Sequence, residues 1–171
     1  MGCDIHGVVE TFFALKEWRR WSTCATVRIE RDYILFGALA GVRQEGIEHI
    51  PPRGIPSDIS ATSKSEIGYW VSDKEQLHGG QMGGPIGPEA AKDFLDSGSI
   101  RIDEEWITGP DYHSFSWLAA DELEHALRIC KAQQPHPWYN GPAENIYGVL
   151  GMMRAIEERG VQTRFVFWFD N

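Results

Sequence analysis

The sequence predicts one α+β domain spanning residues 1–171, a mainly antiparallel sheet covered by two or three helices. Three observations carry that expectation. Both ends of the chain are strand-like: Cys3 to Ala14 is rich in β-branched and aromatic residues, and Thr163 to Phe169 is a short apolar run. Two stretches read as helices: 142–159 places apolar residues at helical spacing, and 120–132 has Asp121, Glu122 and Glu124 in its first turns with Arg128 and Lys131 at its end, matching the helix dipole. The elements do not alternate as strand–helix–strand units, which argues against a parallel sheet. The two terminal strands are expected to be neighbours, since chain ends commonly lie close together.

The remaining elements follow in order. Lys16 to Arg20 reads as a polar turn, and Thr23 to Glu30 as a second strand forming an antiparallel hairpin with the first. Asp32 is a helix N-cap for Tyr33 to Arg43, with Leu35, Leu39 and Val42 on one face. Gly37 and Gly41 inside that stretch predict close approach of a neighbour, because glycine weakens a helix interior by up to ~1 kcal/mol. Residues 44–67, with Pro51, Pro52 and Pro56, read as loop, and 68–87, with Gly79-Gly80 and Gly83-Gly84, as a flexible insertion. A short helix at 88–95 and strands at 99–103 and 112–118 precede the helix at 120–132. Pro142 opens the strongest helix, whose apolar face is Ile146, Val149, Leu150, Met153 and Ile156, and Gly160 stops it.

Composition narrows the function. The net charge of −9 argues against long nucleic acid, which requires a basic footprint. Three cysteines lack metal-type spacing and read as reduced, buried thiols of a cytoplasmic protein. No signal peptide or membrane-spanning run is evident, so no membrane partner is expected. Residues 28–54 are neutral, with Arg28, Arg31, Arg43 and Arg53 against four carboxylates, so all of the −9 lies elsewhere. Such an arginine-bearing segment suits a phosphate anchor. Arg164, within an apolar strand, calls for a carboxylate partner, Asp4 or Glu10. There is no GxGxxG, Walker or GxSxG pattern.

The sharpest chemical signal is Asp4-Ile-His6, repeated as Asp111-Tyr-His113. Residues two apart share one face of a strand, a common way to present metal ligands or an acid–base pair. Asp4, His6, Asp58, His113 and Asp170 are the candidate ligands for a divalent ion, Zn, Mn or Mg. Met1-Gly-Cys-Asp-Ile-His6, Arg31 to Arg43, Arg53-Gly-Ile-Pro-Ser-Asp58, His113 to Leu118 with Glu122-Leu123, and Phe167-Trp-Phe-Asp-Asn171 together resemble a family of small bacteriophage and prophage proteins with no settled activity. Residues 64–110 fall outside the resemblance and read as an insertion particular to this chain. The resemblance implies a phage-encoded protein working in the bacterial cytoplasm, and it singles out Asp4, His6, Arg43, Arg53, Asp58, His113 and Asp170.

The first expectation is therefore a metal-dependent phosphoesterase acting on a small nucleotide, a host immune signal in the phage setting. Asp4, His6 and His113 are its catalytic residues, and Arg43 and Arg53 hold phosphate. The second is a non-catalytic sponge using Tyr33, Arg43, Arg53 and Trp117 to sequester such a nucleotide. The third is an inhibitor of a host enzyme. A homo-oligomer is compatible with each.

Overall fold

The computed structural model describes residues 2–72, 85–102, 106–133, 142 and 144–171, and only the backbone of Leu15. In chain order these form β1 (Asp4–Leu15), β2 (Trp18–Arg28), α1 (Tyr33–Ala40), α2 (Ala61–Ile67), β3 (Gly68–Val71), β4 (Pro85–Ile86), α3 (Pro88–Asp96), β5 (Ile100–Arg101), β6 (Trp106–Thr108), β7 (His113–Leu118), α4 (Ala120–Ala132), α5 (Glu144–Glu157) and β8 (Thr163–Asp170). The α+β expectation holds. The main sheet is antiparallel, in the order β2-β1-β8-β7, and a small mixed sheet runs β4-β3-β6-β5.

The terminal strands are neighbours, with Asp4 opposite Asp170 and Thr11 opposite Thr163. Alternation sorts their side chains onto two faces. Cys3, Ile5 and Val9 join Phe165, Phe167 and Phe169 against buried residues of α1, α4 and α5. Gly7 belongs to this face for a steric reason: a Cβ there would lie 2.3 Å from the Phe165 ring. The opposite face carries Asp4, His6, Val8 and Glu10 on β1, and Arg164, Val166, Trp168 and Asp170 on β8. Its apolar centre, Val8, Val166 and Trp168, packs on Ile67 and on flanking residues including Ile55, Ile59 and Phe115.

The segment after α1 closes the sheet. Gly41 ends that helix in the left-handed region (φ 69°), and a Cβ on Gly37 would meet Gln44 at 2.7 Å, so both glycines accommodate close neighbours. Asp32 caps the helix, accepting from the N–H groups of Ile34 and Leu35 at 3.0 Å each. The chain then follows the outer edge of β7, where Gly54 N–H donates to Phe115 O (2.9 Å) and Arg53 N–H to Ser116 Oγ (3.2 Å). An edge strand covered in this way is shielded from stray pairing.

Arg53 also forms a fork on the Glu122 carboxylate, which in turn accepts from the N–H of Ala119 at the start of α4 (2.9 Å). The Arg53 hydrogen bonds, opposed by burial, hold the Glu122 carboxyl below its ordinary 4.5. A depressed carboxylate stabilises the fold above its unfolded-state pKa, and that contribution disappears as pH falls through the folded value. Thermal stability should therefore be level near neutrality and decline below about pH 4.5. Melting curves across this range should show a smaller acid-induced fall in Glu122→Gln than in the wild type.

Several boundaries differ from expectation. β2 starts at Trp18 because a two-residue loop, Lys16-Glu17, suffices, with Lys16 at φ 44°. The stretch expected to be loop contains α2, which Ser60 caps through its Oγ to the N–H of Ser63 (3.1 Å). Its Thr62, Ser63 and Ser65 have low intrinsic helix propensity, so tertiary contacts stabilise a helix that the pattern does not announce. Gly68 to Val71 is a strand rather than flexible insertion. A Cβ at Gly68 would sit 2.0 Å from the Ile107 carbonyl oxygen, so only glycine allows that pairing. The glycine pairs at 79–84 lie outside the described residues. Cys24, expected buried, is exposed, while Cys3 and Cys130 are buried. No helix among the described residues is long and apolar enough to cross a membrane.

Candidate active site

The opening motif has a physical role at each position. Gly2 leaves room for Arg31, whose Nη1 would be 2.5 Å from a Cβ there. Cys3 and Ile5 enter the helix-covered core, where burial pushes the Cys3 thiol up and nearby Arg43 offsets part of that rise. Asp4 and His6 project from the other face. Asp4 accepts a fork from Arg31, Nε to Oδ1 at 2.9 Å and Nη2 to Oδ2 at 2.7 Å. His6 Nε2 lies 3.0 Å from Asp170 Oδ2, and Asp170 Oδ1 accepts from the Asp4 N–H at 3.2 Å.

Register assembles the rest. His6 sits opposite Trp168 on β8 and opposite Arg28 on β2, so Arg28, His6 and Trp168 form one row across three strands. Asp4 and Asp170 form the next row. The imidazole stacks on the Trp168 ring (centroids 5.7 Å apart, planes 12° apart) and touches Tyr112 (5.5 Å). The row opens into a cleft of about 440 Å³ lined by Asp4, Ile5, His6, Thr26, Val27, Arg28 and Asp170. That volume suits a small ligand. The Arg28 guanidinium has no hydrogen bond or ion pair among the described residues, whereas Arg31 is held by Asp4.

In a neutral imidazole, a carboxylate acceptor at Nε2 favours the tautomer with its proton there and leaves the Nδ1 lone pair. Nδ1 has no hydrogen-bond partner among the described residues. A base oriented by a second group through its far nitrogen is an arrangement suited to general-base catalysis.

Other expected site residues lie elsewhere. His113 is the register partner of Phe169, and their rings stack at 6.0 Å. Phe169 packs on Phe36 under the helices, so His113 lies on the face opposite His6 and does not complete a site with Asp4. Its Nδ1 bonds Ser114 Oγ (2.9 Å), and its buried Nε2 has no partner among the described residues. Asp58 belongs to a different cluster, accepting from Arg164 Nη1 at 2.6 Å and Trp21 Nε1 at 2.9 Å. Arg164 finds the partner expected for it in Glu10, at 2.7 Å.

The two expected phosphate anchors lie apart from the cleft and serve other partners. Arg43, at φ 62°, donates to Asn171 Oδ1 (2.5 Å), beyond the Asp170 end. Arg53 lies 4.8 Å over Trp117, which pairs with Val166 in the middle of β8. Tyr33 is partly exposed, with its ring edge on Phe36 at 5.7 Å.

The expected metal ligands have the following partners. Both Asp4 oxygens are on Arg31, and His6 and Asp170 bond one another. Among the described residues no group of three His, Cys, Asp or Glu side chains is placed to hold an ion. Of the four arginines of residues 28–54, Arg28 lines the cleft, whereas Arg43 and Arg53, the two expected to hold phosphate, do not. Comparison with protein-family models, curated proteins and solved structures finds no match.

Proposed function

We propose that the chain hydrolyses a small phosphate-bearing molecule of nucleotide type, with His6 as the proton-transferring group. The observation that supports this reading best is the Arg28–His6 cross-strand pair, with Asp170 bonded to the far nitrogen of the imidazole. In the proposed step His6 Nδ1 takes a proton from water as its oxygen bonds to phosphorus. The P–O bond to the leaving group breaks, and the imidazolium returns the proton to that oxygen. Asp170 stabilises the transient imidazolium, and Arg28 carries the charge on the phosphoryl oxygens. No step runs through a metal ion. In the phage setting that the sequence resemblance suggests, the substrate is a host nucleotide signal in the bacterial cytoplasm.

The test is a hydrolysis and binding screen with mono-, di- and cyclic nucleotides, run in chelator and again with Zn, Mn or Mg. Turnover in chelator is the expected result. Turnover only with added ion would replace this reading by the metal-dependent one. Binding with the nucleotide recovered intact under all conditions would leave a sponge. Arg28→Ala should weaken binding about tenfold or more, because a charge-assisted hydrogen bond contributes about 1.5–3 kcal/mol. Arg53→Ala should leave binding unchanged, since that side chain serves Glu122.

A further inference from the structure

We propose that the tip of the β1–β2 hairpin and the open edge of β2 dock an extended acidic segment of a partner protein by strand addition. β8 pairs with β1 only as far as Thr11, so Phe13 to Arg20 project past the sheet as a two-stranded arm. A bare two-stranded arm is marginal in water, yet this one displays Trp18 at 66% and Phe13 at 47% exposure. Paired residues share a face, so Phe13 and Arg20 stand together, joined by Trp18 and Ser22 around a shallow depression of about 260 Å³. Arg20 lies over Trp18 at 5.3 Å, and Arg19 lies over Phe12 at 5.7 Å.

Charge identifies the occupant. Residues 16–28 hold four cations and one carboxylate, a net +3 in a chain of net −9, so the other residues sum to −12. Lys16, Arg19 and Arg20 make no ion pair among the described residues. β2 is the outermost strand, and between Trp18 and Val27 no outward backbone hydrogen bond is made among the described residues. An incoming strand meets free backbone groups there, with side-chain pockets set by the exposed aromatics. Trp and Arg are also the residues that most often dominate interface energy. A second copy would bring a strand with three arginines and no carboxylate against itself. A long nucleic acid would run past the tip onto a strongly acidic body, whereas a strand-length acidic segment contacts the tip alone.

The experiment uses the full chain and a fluorescein-labelled peptide of alternating Glu and Val, with a Lys–Val peptide and labelled oligothymidylate for comparison. Saturable binding of the Glu–Val peptide alone is expected, weakening with salt. The R19E/R20E and W18A variants should each weaken it about tenfold or more. Amide exchange should slow at residues 18–22 on binding. These side chains are exposed, so the variants should melt within a few degrees of wild type, and the His6 cleft, which they do not touch, should behave as in wild type. Equal binding of the Lys–Val peptide, unchanged affinity in R19E/R20E, or protection outside β2 would overturn the proposal. Tighter binding of the oligonucleotide would overturn it in favour of single-stranded nucleic acid. Self-association abolished by W18A, without peptide binding, would overturn it in favour of a second copy.

Discussion

Replacing Arg164 by alanine lowers the free energy of unfolding by about 3–5 kcal/mol, the range for removing one partner of a buried ion pair. Arg164 is 4% exposed and Glu10 is 0% exposed. The guanidinium donates through Nε to Glu10 Oε2 (2.7 Å), through Nη1 to Asp58 Oδ1 (2.6 Å) and through Nη2 to the Asp58 carbonyl (3.2 Å). It lies 4.0 Å from the Trp21 ring centroid and 6.0 Å from that of Trp117. The other Glu10 oxygen accepts from the Ser60 N–H at 2.9 Å. Alanine therefore leaves the Glu10 carboxylate buried with one backbone donor, the Ser60 N–H, and removes the pin holding Asp58 over the sheet. Burial opposes ionisation of Asp58, but Arg164 and the Trp21 indole outweigh it and hold that carboxyl below its ordinary 3.8. Urea unfolding should show a lower midpoint at unchanged slope. The double variant Arg164→Met with Glu10→Met should recover most of the loss, because the cost lies in the orphaned charge rather than in the missing attraction. A double variant as unstable as the single would refute that account.

The second large effect concerns the cleft. His6→Ala should lower kcat by about 10²–10⁴, the usual contribution of a positioned acid–base group, with little change in KM. Asp170→Asn should fall by a similar factor for a different reason. An amide NH₂ facing His6 Nε2 favours the tautomer with its proton on Nδ1, which abolishes the base. Nucleotide affinity measured without turnover should survive both changes. The His6 side chain is 38% exposed, so its loss should shift the melting temperature only slightly. A His6→Ala protein that folds and retains full turnover would sink the acid–base assignment.

Two single-residue irregularities decide how much of this site was legible in the sequence. The alternation of β1 gave Asp4 and His6 on one face, and the apolar ends gave neighbouring strands; both hold. A two-residue hairpin loop in regular register would set His6 opposite Val27. A bulge between Val9 and Glu10, which leaves Cys24 without a partner on β1, moves Arg28 into that place instead. On the other side, regular pairing from Trp117 with Val166 would set His113 opposite Asp170, on the face that carries His6. The irregularity between His113 and Ser116, with Ser114 at φ 51°, sets His113 opposite Phe169 and reverses its face. Local sequence does not mark either bulge, because neither uses glycine. The Arg53 clamp on Glu122 was equally hidden, since it joins residues 69 positions apart.

The pairing of β1 with β8 also orders events in time. His6 and Asp170 are 164 positions apart, and the strands bearing them are the two inner members of the main sheet. During synthesis β1 emerges well before β8, and until β8 follows it has only β2 to pair with. The inner edge of β1 stays open until the chain has been made through Asp170. Such long-range closure predicts slow folding and an interval in which apolar surface and an unpaired strand edge are exposed. It also means that no partly synthesised chain carries the His6–Asp170 contact, which forms in the same event that joins the two inner strands.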